Sequence, residues 1–170
     1  MRSTQTLRLD EPGAPALALA QTGAAPGLVE RAFSVDGVAG VLWSPALPMG
    51  PAPLVLIGHA GGRQTRSPGV VTRAVGFVRT FGFHAAAIDA ARSPERAVAE
   101  WRTALDALLA LPAIDADRTV GYLGGTGATE IGLRLAAADG RIGVQAFCGA
   151  SASEAEAAWF VARRLLAPTI

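Results

Sequence analysis

The sequence contains no lysine, one cysteine and two histidines among its 170 residues. Because Cys148 stands alone, no disulfide can form within the chain, and zinc sites built from paired cysteines are excluded. His59 and His84 are too few and too far apart in the chain to indicate a metal site. We therefore expect neither a metal nor another cofactor.

Long apolar runs and clustered charges are also missing. No run approaches the roughly 18 apolar residues that a membrane-spanning helix requires. The 15 basic residues, all arginine, are scattered among 14 acidic ones, whereas a nucleic-acid-binding protein would carry a basic stripe. We expect neither a membrane nor a nucleic acid as a partner. Asp10 and Glu11 stand where a signal peptide would be basic, which favours a cytoplasmic protein.

The first thirty residues differ in composition from the rest of the chain. They are rich in alanine, glycine and proline and precede the first clear strand pattern. We predict a flexible leader over residues 1–30 and a single domain over residues 31–170. With 51% hydrophobic and 17% charged residues, the chain has the composition of a packed globular protein.

Strand and helix patterns alternate through the domain. Asp36-Gly37 interrupts an apolar stretch at 31–45 and predicts a tight hairpin. Serine followed by proline opens two of the helical patterns. This order predicts an α/β fold: a doubly wound, mostly parallel sheet with helices on both faces. Buried strands are predicted at 53–59, 83–89 and 144–150, a further strand at 118–125, and helices at 67–82, 93–111, 127–138 and 153–167.

Two glycine-containing turns are the candidates for a functional site. The strand at 53–59 ends in HAGG (59–62), and the strand at 118–125 runs into GGTGA (124–128). Together with the order of strands and helices around them, these turns resemble the α/β-hydrolase fold, in particular its dienelactone-hydrolase-like esterase branch. In that family the first turn is of the HGGG type and the second is a G-x-S-x-G nucleophile elbow. The resemblance covers residues 30–170.

The resemblance implies a hydrolase of carboxylic esters or lactones, with a small ester-like molecule as ligand. It places Thr126 at the nucleophile position. It assigns oxyanion binding to the backbone N–H groups of Gly127 and of either Ala60 or Gly61. No cofactor is implied.

Two departures from the family pattern weaken the implied activity. Thr126 replaces the usual serine, and a β-branched residue tolerates the strained elbow poorly. The family's acid and histidine follow later strands, whereas no histidine follows Ala128. We therefore expect a degenerate, incomplete triad and a domain truncated at its C-terminal end, without the last strands of the fold. A feeble esterase and a non-catalytic remnant or binding scaffold both fit this pattern.

Two further interpretations of the same turns stay open. His59, Asp89 and Thr126 follow three strands that are adjacent in the family's strand order, so an improvised Thr126–His59–Asp89 relay is conceivable. The alternative is a structural role for His59 and Asp89. The run GGTGATEIG also resembles the phosphate-binding turn of a Rossmann-like nucleotide-binding domain. Against that interpretation, Glu130 lies close to where phosphate charge would lie, and the acid expected about 20 residues later is missing.

The predicted truncation leaves the strand at 144–150 at the edge of the sheet. An apolar edge with unpaired backbone groups invites pairing with another chain. The helix at 153–167, which carries Trp159 and Phe160, would also lose part of its packing surface. We expect a homodimer through residues 144–166, or aggregation where that contact does not form.

Overall fold

The computed structural model describes residues 4–7, 17–148 and 153–167. These residues form eight strands and four helices. None of the helices in this part of the chain is both long and apolar enough to cross a bilayer. The strands are β1 (Thr4–Leu7), β2 (Leu17–Ala25), β3 (Leu28–Val35), β4 (Val38–Pro45), β5 (Leu54–Gly58), β6 (His84–Ile88), β7 (Val120–Gly124) and β8 (Ile142–Phe147), and the helices are α1 (Pro68–Phe81), α2 (Pro94–Leu109), α3 (Thr129–Ala138) and α4 (Glu154–Leu166).

The eight described strands form one sheet in the order β1-β2-β3-β4-β6-β5-β7-β8. Strands β1 to β4 pair antiparallel with their sequence neighbours, and β4 pairs antiparallel with β6. Strands β6, β5, β7 and β8 are parallel to one another. Six of the eight strands (β1, β3 and β5 to β8) therefore run in one direction, and the predicted mostly parallel sheet is confirmed.

Helices cover both faces of the sheet because both faces are apolar. Helices α2 and α3 pack on one face, where Trp101 and Leu135 belong to a single buried cluster. Helices α1 and α4 pack on the other face, around Phe77 and Val161. Every residue of β5, β6 and β7 is buried, as continuous apolar strands between two helical layers require.

The helix starts follow the predicted capping pattern. Helix α1 begins at Pro68 after Ser67, and α2 begins at the proline that follows Ser93. Proline is favoured there because its missing N–H would have no partner within the helix. Ser153 and Glu156 form a reciprocal capping box at the start of α4.

The predicted hairpin is formed by β3 and β4. Val35 pairs with Val38, so the loop contains only Asp36 and Gly37. Both loop residues have positive φ, 46° and 80°, which is the turn geometry that matches the twist of an antiparallel pair.

Residues 17–30 correct the prediction of a flexible leader over 1–30. Strand β2 pairs with β3 along its length, and Leu17 and Leu19 are buried. Their two-residue spacing turns both side chains to the same face of the sheet. Thr4–Leu7 add β1 beside β2, while residues 1–3 and 8–16 lie outside the described part of the chain.

Candidate active site

The carboxyl ends of three adjacent strands bring the predicted site residues to one edge of the sheet. Strand β5 lies between β6 and β7. His59 directly follows β5, Asp89 directly follows β6, and the turn that contains Thr126 follows β7. Ligands of open α/β sheets bind at this edge. We call residues 59–62, 89 and 125–128 the carboxyl-edge site.

The GGTGA turn does not hold Thr126 in the conformation of a nucleophile elbow. The Ala128 N–H donates to the Gly125 carbonyl at 3.0 Å, which closes a four-residue turn. Positive φ falls on Gly127 (79°), and Asp36 is the one non-glycine among the described residues with positive φ. Thr126 is exposed. The positive φ of this turn is therefore taken by Gly127, and Thr126, which is β-branched, keeps a negative φ.

The two glycine-containing turns meet at Ala60 and Gly127. A Cβ added at Gly127 would lie 2.8 Å from the Ala60 Cβ, so glycine is required there. The Gly61 N–H, predicted as an alternative to that of Ala60, donates to His59 Nδ1 at 3.1 Å instead. No backbone hydrogen bond to another described residue occupies the N–H of Ala60 or of Gly127. These two groups are therefore the ones left to bind a ligand oxygen.

His59 is bound to backbone on both sides of its ring. Because Nδ1 accepts from the Gly61 N–H, the proton is on Nε2, which donates to the Ile88 carbonyl at 2.8 Å. Burial lowers the pKa of His59, partly opposed by the Ile88 carbonyl and by the nearby charge of Asp89. The ring is neutral at pH 7 and fastens the end of β5 to the end of β6.

The Thr126–His59–Asp89 relay is not assembled in the structure. Asp89 Oδ1 accepts from the Thr65 hydroxyl at 3.0 Å and from the Thr65 N–H at 3.4 Å. No hydrogen bond between described residues joins His59 to Asp89 or to Thr126. The sheet brings the three residues to one edge, and local bonds then direct two of them into the loops that they stabilise.

Arg73 is a residue of this region that the sequence patterns did not single out. A Cβ added at Gly125 would lie 2.8 Å from Arg73 Nη1, so the guanidinium packs under the GGTGA turn. The Arg73 guanidinium forms an ion pair with Glu154. It also lies near the Cys148 thiol, where it opposes the rise in pKa that burial causes. Helical spacing is the sequence signal that could have identified Arg73, because it lies three residues after Val70 on the buried side of α1.

Buried neutral histidines are expected to make the protein less stable in mild acid. Burial lowers the pKa of both His59 and His84 below the ordinary value of 6.5 in the folded chain. The unfolded chain therefore binds protons first, so this stability is present above about pH 6.5 and is lost as the pH falls through the folded pKa values. We expect the urea concentration at the unfolding midpoint to decrease as the pH is lowered from about 7.5 to about 5.5, a range above that in which the carboxylates titrate.

The control for this pH dependence removes the two imidazoles. A His59→Asn, His84→Gln double variant should lose most of the slope over the same interval while staying folded at pH 7. A midpoint in the unmodified chain that does not change over this interval would contradict the assignment of neutral histidines.

Several solved structures similar to this chain are esterases. The native structure of a cold-adapted esterase from an Arctic intertidal metagenomic library is 32% identical over 74% of this chain, with a TM-score of 0.58. Its complex with PEG is 30% identical over 82% of this chain, with a TM-score of 0.61. Acetyl xylan esterase 1 from a Thermoanaerobacterium species is 16% identical over 75% of this chain, with a TM-score of 0.57. No protein-family model and no curated protein matches the sequence.

These likenesses and the strand order define an α/β-hydrolase-like fold. The chain spans 60% and 65% of the two structures of the cold-adapted esterase and 50% of the acetyl xylan esterase. At 16% identity, the second protein supports the fold alone.

Proposed function

We propose that the chain descends from carboxylic ester hydrolases of the dienelactone-hydrolase-like branch. In this proposal its carboxyl-edge site binds an ester or lactone carbonyl without hydrolysing it efficiently. The esterase likeness at 30% and 32% identity supports the lineage. The proposed loss of catalysis rests on one observation: both ring nitrogens of His59 are hydrogen-bonded to backbone groups. A cytoplasmic location is part of the same proposal.

Ester hydrolysis by a hydroxyl nucleophile needs a base that takes the hydroxyl proton as the carbonyl carbon is attacked. His59 does not supply that base, because its Nδ1 lone pair already accepts an N–H and its Nε2 is protonated. The N–H groups of Ala60 and Gly127 remain able to polarise a carbonyl oxygen. A site with these properties favours binding of the carbonyl over attack on it.

The purified chain is expected to hydrolyse p-nitrophenyl acetate close to the background rate. An oxyanion site without a working triad supports at most about 10³–10⁴-fold catalysis over water. Thr126→Ser should change the initial rate by less than about tenfold, because serine at this position would have no base either. The measurement is the initial rate of nitrophenolate release, with Thr126→Ala as the control for contaminating esterases. Robust turnover that disappears in Thr126→Ala, or a large gain in Thr126→Ser, would refute the proposal.

The Rossmann-like alternative has less support than the esterase lineage. The similar structures named above are esterases. The first turn of α3 carries Glu130, which forms an ion pair with Arg134 and places negative charge near the helix start. That charge opposes binding of a phosphate at the same helix end.

A second candidate function, pairing with another copy of the chain, is favoured by the edge strand. Strand β8 ends the described sheet, and its residues from Val144 to Phe147 are only partly buried. Helix α4 packs beside it and leaves Trp159 and Phe160 half exposed. An edge strand beside a helix with exposed apolar side chains is a surface on which chains associate. We therefore retain the homodimer through residues 144–166 as a proposal.

Static light scattering over a concentration series is expected to show a dimer or larger species. Phe160→Ser should shift the equilibrium towards the monomer, because it removes apolar area from this surface. Leu133→Ser is the matched control, since Leu133 is similarly exposed but lies on a different helix, α3. A strict monomer at all concentrations, or an equal effect of both substitutions, would exclude this interface.

A further inference from the structure

A second concave site lies at the opposite end of the sheet from the carboxyl-edge site. It is a cavity of about 440 Å³ between the end of β4, the start of β6 and the loop after α2. We call it the amino-end cavity. Its walls are mainly apolar, and Arg31, Ser44 and His84 are among its few polar side chains. Apolar cavities of several hundred cubic ångströms with a few convergent polar groups are the usual form of small-molecule sites.

Strand register brings these polar side chains to one face of the sheet. Arg31 pairs with Leu42 across β3 and β4, and Leu42 pairs with Ala86 across β4 and β6. Ser44 lies two residues beyond Leu42, and His84 lies two residues before Ala86, so both stay on that face. Arg31 is therefore a diagonal neighbour of Ser44, within reach of a long side chain.

No acidic side chain in the described part of the chain pairs with Arg31. Its sequence neighbour Glu30 points to the other face of the sheet, where it accepts from Trp43 Nε1 and pairs with Arg66. No ion pair within the described residues involves Arg31. A cation that lines a mainly apolar cavity, with no acidic partner among the described residues, is suited to bind an anion.

The Ser44–His84 pair has a fixed arrangement of protons. His84 Nε2–H donates to the Ala113 carbonyl at 2.9 Å, so Nδ1 accepts from the Ser44 hydroxyl at 3.0 Å. Burial lowers the pKa of His84, and the positive charge of Arg31 adds to this effect. With its proton engaged, the Ser44 oxygen keeps acceptor capacity for a ligand donor.

We propose that the amino-end cavity binds a small carboxylate with an apolar body. The guanidinium of Arg31 offers two parallel N–H groups that match the two oxygens of a carboxylate. The body of the ligand lies against Leu19, Leu42, Leu111 and Ile114. One cation in an apolar cavity suits a monoanion, and a hydroxyl beside the carboxylate can donate to Ser44. This site is separate from the carboxyl-edge site, so it stands whether or not the chain hydrolyses esters.

Titration with benzoate, followed by amide chemical shifts of the full chain, tests this site. Benzoate should bind in the millimolar range or tighter and shift amides of β3, β4 and residues 111–114. Benzamide, which has the same shape without the charge, should bind at least about tenfold more weakly. Equal affinity for the two compounds, or no benzoate-dependent shift in these segments at millimolar concentration, would overturn the proposal.

Substitutions at Arg31 separate the contribution of its charge to benzoate binding from that of the apolar cavity. Arg31→Met should weaken benzoate binding by about tenfold or more, and Arg31→Lys should weaken it less, because lysine keeps the charge without the paired N–H groups. Arg79→Met is the matched control, since Arg79 is an exposed arginine of α1 outside the cavity. Circular dichroism establishes that each variant is folded. Unchanged affinity in folded Arg31→Met, or an equal loss in Arg79→Met, would contradict the assignment.

Discussion

Replacing His59 by alanine is expected to lower the free energy of unfolding by about 2–4 kcal/mol and to leave the rate of ester hydrolysis unchanged. The substitution removes a buried ring and leaves the Gly61 N–H without its acceptor. A buried group that loses its partner costs about 1–3 kcal/mol, and the cavity adds to that loss. Urea unfolding followed by tryptophan fluorescence gives the stability, and the p-nitrophenyl acetate assay gives the rate.

His59→Asn is the matched control for this effect. The asparagine side-chain oxygen can accept from the N–H two residues further along the chain, so it can replace the bond to Gly61. We expect it to lose about half as much stability as His59→Ala. If His59 is instead a catalytic base, both variants will lose hydrolytic rate while their urea midpoints stay close to that of the unmodified chain.

Tyr122→Ala is expected to have the largest effect on stability, a loss of about 3–5 kcal/mol. Tyr122 is fully buried and packs edge to face against Trp101 at a centroid distance of 6.3 Å. Its hydroxyl donates to the Ala128 carbonyl at 3.2 Å, directly below the GGTGA turn. Tyr122→Phe keeps the ring and should lose only about 1 kcal/mol, because Ala128 O also accepts from the Gly132 N–H. Urea unfolding of both variants measures the difference. Equal losses would contradict the assignment of most of the effect to the ring and not to the hydroxyl.

A double-mutant cycle with Gly58 tests why the last residue of β5 is glycine. A Cβ at Gly58 would overlap the Tyr122 hydroxyl, so Gly58→Ala should destabilise by about 1–3 kcal/mol. In the Tyr122→Ala background the same substitution should cost less, because both the overlapping oxygen and the ring carbon that the added Cβ would also overlap are gone. Additive losses would show that the strain at Gly58 has another source.

The carboxyl-edge site illustrates how local bonds decide the use of reactive groups. A histidine, an aspartate and a hydroxyl follow three adjacent strands. The imidazole fastens two loops through backbone atoms, and the aspartate binds Thr65. Two N–H groups are left there for a ligand. Our proposal of carbonyl binding without efficient hydrolysis rests on this arrangement.

Much of the fold could be predicted from local sequence. The two-residue loop Asp36-Gly37, the Ser-Pro helix starts and the continuous apolar strands each depend on neighbours within a few residues. The alternation of strands and helices then restricts the sheet to a doubly wound topology. The prediction that His59, Asp89 and Thr126 reach one edge needed more than local patterns, because it used the strand order of the α/β-hydrolase family that the chain resembles.

The N-terminal strands could not be predicted in this way. Residues 17–25 contain alanine, glycine and threonine with only two leucines at a strand spacing. Such a segment becomes a strand because β3 supplies its backbone hydrogen-bond partners. Composition indicates weak local preference, and pairing with an existing strand overrides it.

The sequence by itself determined the secondary structure of the α/β domain and the edge at which its glycine turns lie, because both follow from local preference and chain order. Only the tertiary structure decided what the site residues do. The acceptor of His59 Nε2 is 29 residues away, and the position of Arg73 under Gly125 joins α1 to the end of β7. The amino-end cavity likewise joins Arg31, Ser44 and His84 from three strands. These contacts arise only when the packed sheet brings distant segments together, so no local pattern encodes them.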